Sequence, residues 1–137
     1  MPALIAVLIC ETGAIDPVTG KKTLIGIFDR LVAPRFPTMR PVFVYWKITD
    51  AVGFYTVTMK VVRTQGNVLI AQAGNMAVNL ENRLLSYDFL MPAPPPGTKG
   101  IFFPEPGRYE FQIFMNDTYL GGSFIDASNE RVQEEGP

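Results

Sequence analysis

Apolar and polar residues alternate with a period of two along much of the chain, the signature of strands with one face in a core and one in solvent. The run from Phe54 to Arg63 is the clearest. Tyr55, Val57, Met59 and Val61 fall on one face, and Thr56, Thr58 and Lys60 on the other. The same alternation groups Val44, Trp46 and Ile48, then Leu85, Tyr87, Phe89 and Met91, then Tyr109, Phe111, Ile113 and Met115. Val68 to Ala73 continues past Gly74, where a bulge is expected, into Met76, Val78 and Leu80. Ala3 to Glu11 is apolar on both faces, as a strand packed on both sides is. Turn formers separate the runs: Asp16-Pro17, Asp50 to Gly53, Gln65-Gly66-Asn67 and Glu81-Asn82-Arg83. Asn116-Asp117 closes a hairpin onto Tyr119 to Asp126.

The pattern predicts an all-β domain, a two-sheet antiparallel β-sandwich of Ig-like or jelly-roll-like kind with about eight strands. Residues 1–126 form the domain, and the polar stretch 127–137 is expected to be a disordered tail. Val7, Ile27, Trp46, Val57, Met59, Val78, Phe89, Phe111 and Ile113 are the expected core. Lys21 to Leu31 reads as one strand. Pro34, Pro37 and Pro41 read as a crossover without regular pairing, and Pro92 to Gly107 as a proline-rich loop interrupted by Ile101, Phe102 and Phe103.

Composition narrows the function. The chain has 137 residues, with 12 basic and 13 acidic side chains. That balance gives no field to draw in nucleic acid or an anionic membrane surface, so neither is an expected partner. The apolar start, Met1 to Cys10, carries no Lys or Arg before Lys21 and is shorter than the roughly 20 residues of a membrane span. It reads as a first strand rather than a leader. Cys10 is alone, which rules out an intrachain disulfide and suits a reducing compartment; the expected location is cytoplasmic. Charged residues make up 18% of the chain, below the usual ~25%, which suggests that another subunit covers part of the surface.

Catalytic chemistry is hard to assemble from these residues. There is no histidine, the commonest general base and metal ligand. No serine sits in a nucleophile elbow, and no glycines form a phosphate-binding fingerprint. Asp16, Asp29, Asp50, Asp88, Asp117 and Asp126 are scattered singly, without the spacing of a calcium loop. The expectation is no catalytic residue, no cofactor, no metal and no enzymatic activity. Cys10 reads as an inert thiol in an apolar strand. Asp29-Arg30 reads as a pair that orders the following loop, and Pro92 to Pro96 as a stiff linker rather than a polyproline ligand.

Aromatic residues exceed the places that one inward face provides. Phe43 and Tyr45 alternate with Val44 and Trp46, so one pair faces outward unless that strand is covered on both sides. Phe102 and Phe103 lie within a loop. Phe43, Tyr45, Phe102 and Phe103 are therefore the candidate interaction residues. The expected function is a non-catalytic protein-interaction or structural module that self-associates as a homo-oligomer. The alternative is a small-ligand-binding protein that takes a sugar or apolar metabolite at an open end ringed by Trp46, Tyr45 or Phe102.

Two segments carry a family resemblance. Gly20-Lys21-Lys22-Thr23-Leu24-Ile25-Gly26-Ile27-Phe28-Asp29-Arg30-Leu31 and Phe103-Pro104-Glu105-Pro106-Gly107-Arg108-Tyr109-Glu110-Phe111 resemble a group of small bacterial proteins gathered as a domain of unknown function. The resemblance runs from the opening hairpin to the final one. It implies a β-sandwich and supplies no activity, cofactor or catalytic residue. In the second segment a tyrosine at the start of a strand suits a tyrosine corner, its hydroxyl bonding back to a nearby loop.

Overall fold

In the computed structural model, residues 2–93 and 100–129 are described, and they fold into strands without a helix. Eleven strands follow in order: β1 (Ala3–Ile15), β2 (Lys22–Ile27), β3 (Arg30–Ala33), β4 (Thr38–Arg40), β5 (Phe43–Thr49) and β6 (Gly53–Arg63), then β7 (Val68–Leu80), β8 (Tyr87–Pro92), β9 (Ile101–Phe103), β10 (Gly107–Met115) and β11 (Thr118–Asn129). A four-stranded sheet has the order β2-β1-β5-β8, a five-stranded sheet the order β3-β11-β10-β6-β7, and β4 and β9 form a short ribbon.

Alternation places the core between the two large sheets. Ile9, Val44, Trp46 and Ile48 come from the first, and Val57, Met59, Val61, Tyr109, Phe111, Ile113 and Ile125 from the second; all are buried. Each such side chain contributes about 1.5–3 kcal/mol when taken out of water. Trp46 stacks on Phe89 with ring centroids 4.3 Å apart. Tyr109 donates its hydroxyl to the Glu105 carbonyl at 2.5 Å, which closes the expected corner. Asn116 and Asp117 both have positive φ, as the tight hairpin between β10 and β11 requires.

The structure departs from the expected pattern in several places. The stretch from Lys21 to Leu31 is two strands, not one. Gly26 has φ 71°, which turns the chain so that β2 ends at Ile27 and β3 joins the opposite sheet. Ile25 and Ile27, on either side of Gly26, are both exposed, and the alternation changes parity only between Phe28 and Leu31. Ile27 is 58% exposed rather than in the core, while Leu31 and Ala33 are buried. β3 pairs with β11 in parallel, from Arg30↔Asp126 to Ala33↔Asn129, so the sandwich is not wholly antiparallel. Val7, Val78 and Phe89 are half-buried and pack against the core rather than within it.

The proline-bounded crossover holds a strand after all. Pro37 and Pro41 bracket β4, whose three residues pair with β9. The segment expected to be loop thus supplies two core side chains, Ile101 and Phe103. Strand β11 runs to Asn129, past the boundary expected at residue 126, because Ala127 is buried and pairs with both β10 and β3. The rest of the expected tail and Pro94 to Pro96 of the expected linker lie outside the described residues.

Candidate interaction surface

The β1–β2 hairpin is longer than the sheet beneath it. β1 pairs with β5 as far as Cys10↔Phe43, and then continues with β2 alone to Ile15↔Lys22. In a flat sheet of this order β2 would lie about 14 Å from β8, three strand spacings away. Yet Lys22 Nζ is 2.6 Å from Asp88 Oδ1. A Cβ on Gly13 would sit 2.6 Å from Leu90 Cδ2. Asp88 and Leu90 are on the face of β8 opposite Phe89, which packs on Trp46. The hairpin is therefore an arm bent over the outer face of β5 and β8.

The arm answers the question of the outward aromatics. Phe43 and Tyr45 are half-buried, and Cys10, on the same outer face, is fully buried. Tyr45 donates to Asp88 Oδ2 at 2.9 Å while Lys22 binds the other carboxylate oxygen. Burial opposes ionisation of Asp88, but the bonds from Lys22 and Tyr45 outweigh it and hold the carboxyl below its ordinary value. Burial, with the Asp88 bond, pushes the Tyr45 phenol up. Burial also pushes up the Cys10 thiol, against a backbone hydrogen bond from Ile25.

The four aromatic candidates do not form one patch. Phe103 is in the core, edge-on to Tyr109 at 4.9 Å. Phe102 points the other way, 48% exposed, opposite the exposed Met39 across the β4–β9 ribbon. Trp46 is fully buried and rings no open end.

Sheet edges present a different surface. Among the described residues the two large sheets end in β2, β8, β3 and β7. β2 carries Lys22, β8 carries Asp88 and Pro92, and β3 is four residues long with Arg30 at its start. β7 has thirteen residues and neither a charge nor a proline. The alternating strand β6 lies inside the sheet between β10 and β7. Two register shifts interrupt the β6–β7 pairing, but Met76 to Leu80 pairs regularly with Gly53 to Val57. Near that end Phe54, on β6, is 80% and Leu84 89% exposed, and Arg83 and Asp50, in the neighbouring turns, meet at 3.7 Å. Alternation alone did not separate β6 from β7, because both read as strands and strand order is set by distant partners.

The outer face of the five-stranded sheet is polar and internally paired. Glu110 accepts Tyr119 Oη at 2.6 Å and Gln112 Nε2 at 2.8 Å. The Glu110 bond, with burial, pushes the Tyr119 phenol up to about 12. Arg108 Nε binds Asp126 Oδ1 at 2.9 Å and its guanidinium lies over the Phe124 ring.

A groove of about 480 Å³ opens where the arm leaves the sheet. Glu11, Ile27, Arg30, Leu31, Val32 and Arg40 line most of it. Gly26 is needed at its floor: its φ is positive, and a Cβ there would collide with the Glu11 carboxyl group. Most of the first resemblance segment thus builds the arm and the groove, while the second builds the Tyr109 corner.

The sequence matches the Family of unknown function (DUF6941) over residues 5–125. Among curated proteins none matches. The chain belongs to that family.

Proposed function

We propose that this family member is a non-catalytic interaction module that pairs with a second copy of itself along β7. The observation that carries the reading is the thirteen-residue edge strand without charge or proline. An edge of that kind is a template for another strand unless lysine, proline or a covering segment blocks it. A second copy fits better than an unrelated strand. In a two-fold antiparallel pairing, residues near the axis face their own counterparts, and like charges there would repel. β7 has none to repel. The regular segment Met76 to Leu80 forms the centre, with Ala77 and Asn79 exposed within it and Phe54 forming an apolar shoulder. The lone, buried Cys10 favours the cytoplasm as its setting.

Light scattering at micromolar concentration tests the reading. The wild-type chain is expected at twice its monomer mass, and Ala77→Lys at the monomer mass with an unchanged circular dichroism spectrum. A wild-type chain that stays monomeric up to about 100 μM, a concentration corresponding to only ~5–6 kcal/mol of association, removes the proposal.

A further inference from the structure

We infer that the groove at the root of the arm is a binding site for a small apolar molecule ending in a single carboxylate. Its volume, about 480 Å³, is in the range of small-molecule sites. Two arginines, Arg30 and Arg40, line it. Arg63, Arg83 and Arg108 each meet a carboxylate, from Glu105, Asp50 and Asp126. Among the described residues Arg30 and Arg40, both in the groove, have none at ion-pair distance, nor has Arg35 outside it, and the charge of Arg30 acts on Asp126, its partner across β3 and β11.

Arg40 is nevertheless positioned. Its Nη2 lies 3.4 Å from the Val32 carbonyl and its Nε 3.4 Å from Thr38 Oγ1, long bonds that leave donors of the guanidinium free. Val32 is two residues beyond Arg30 on β3, a Cα separation of about 6.6 Å along a strand. Both arginines line the groove, Arg40 through its bonds beside Val32 and Arg30 from the start of the same strand β3. Glu11, held across Gly26, adds one negative charge. The lining keeps one net positive charge, which complements a monoanion better than a dianionic phosphate. Ile27, Leu31, Val32 and Pro41 supply the apolar wall. A guanidinium fork suits a planar carboxylate.

The test is a titration followed by methyl NMR at Ile27 and Leu31 and by the Arg40 Nε–H signal. The probes are hexanoate, hexyl phosphate, hexanol and hexylammonium. Hexanoate is expected to shift all three signals saturably and to bind about tenfold more tightly than hexanol, the difference one charge-assisted hydrogen bond makes. Hexylammonium is expected to leave the signals in place. Arg30→Gln, at an exposed side chain, is expected to weaken hexanoate about tenfold without loss of fold, and Arg40→Lys to weaken it by keeping the charge but losing the fork. Glu11→Gln is expected to improve hexyl phosphate relative to hexanoate. Equal binding of hexanol, tighter binding of hexyl phosphate by the unaltered chain, no saturable shift, or indifference to Arg30→Gln would each overturn the assignment. The titration is repeated on Ala77→Lys, so that the state of association does not enter the result.

Discussion

The outer face of the four-stranded sheet and the edge of the five-stranded sheet meet the same physical problem by different means. On the face, Cys10 is buried and Phe43 and Tyr45 are half-buried beneath the chain's own arm, held at its end by Lys22 and Asp88. On the edge, β7 offers a long uncharged backbone that, among the described residues, has a strand partner on one side only. Apolar surface alone does not mark an interface: the aromatic face is half covered by the chain itself, and the edge lacking charge is where we propose that a second chain pairs.

The largest effect that sharpens this contrast is expected in the arm. Gly26→Val places a branched residue at positive φ and should cost about 2 kcal/mol, read as a lower thermal midpoint. It should leave self-association of the folded fraction intact. Asp88→Ala comes next. It leaves the Lys22 ammonium and the Tyr45 hydroxyl without their shared acceptor, and should cost about 1 kcal/mol, discounted for the partial exposure of Asp88. The same variant should expose Cys10, so the thiol should react faster with a maleimide. An unchanged labelling rate would show that the arm covers Cys10 without the pin.

Acid gives a graded version of that experiment. The Asp88 carboxyl is held below its ordinary value in the folded chain. Its contribution to stability is complete above the unfolded value near pH 3.9 and is lost as pH falls through the folded one. The difference in stability between wild type and Asp88→Asn should therefore shrink below about pH 4. At the other end of the scale Tyr119 is raised to about 12, so its contribution is full below the ordinary phenol value near 10 and declines between there and about 12. The smallest effect on stability is expected at the edge. Ala77→Lys should change it by no more than about 0.5 kcal/mol while abolishing association.

How far the sequence shows this depends on how local each feature is. Trp46, Val57, Met59, Phe111 and Ile113 are read correctly as core because period-two alternation holds through their strands. Ile27 is misread because it pairs opposite Cys10 on the outer face of the β1–β2 hairpin, in step with the exposed Ile25, and the sequence does not show which face of that hairpin meets the core. The need to cover Phe43 and Tyr45 is visible in their alternation with Val44 and Trp46. The covering segment is not, since Lys22 and Asp88 are 66 positions apart. Edge and interior strands also look alike in sequence: β6 and β7 both alternate, and only the order β10-β6-β7 separates them.

Hydrogen exchange at two protein concentrations, one well below and one well above the onset of association, tests the central claim most directly. The account predicts that the amides of Met76 to Leu80 exchange more slowly at the higher concentration in the wild-type chain and not in Ala77→Lys, while those of the arm, Glu11 to Ile15, are the same at both. Concentration-dependent protection in the arm, or none in β7, would contradict it.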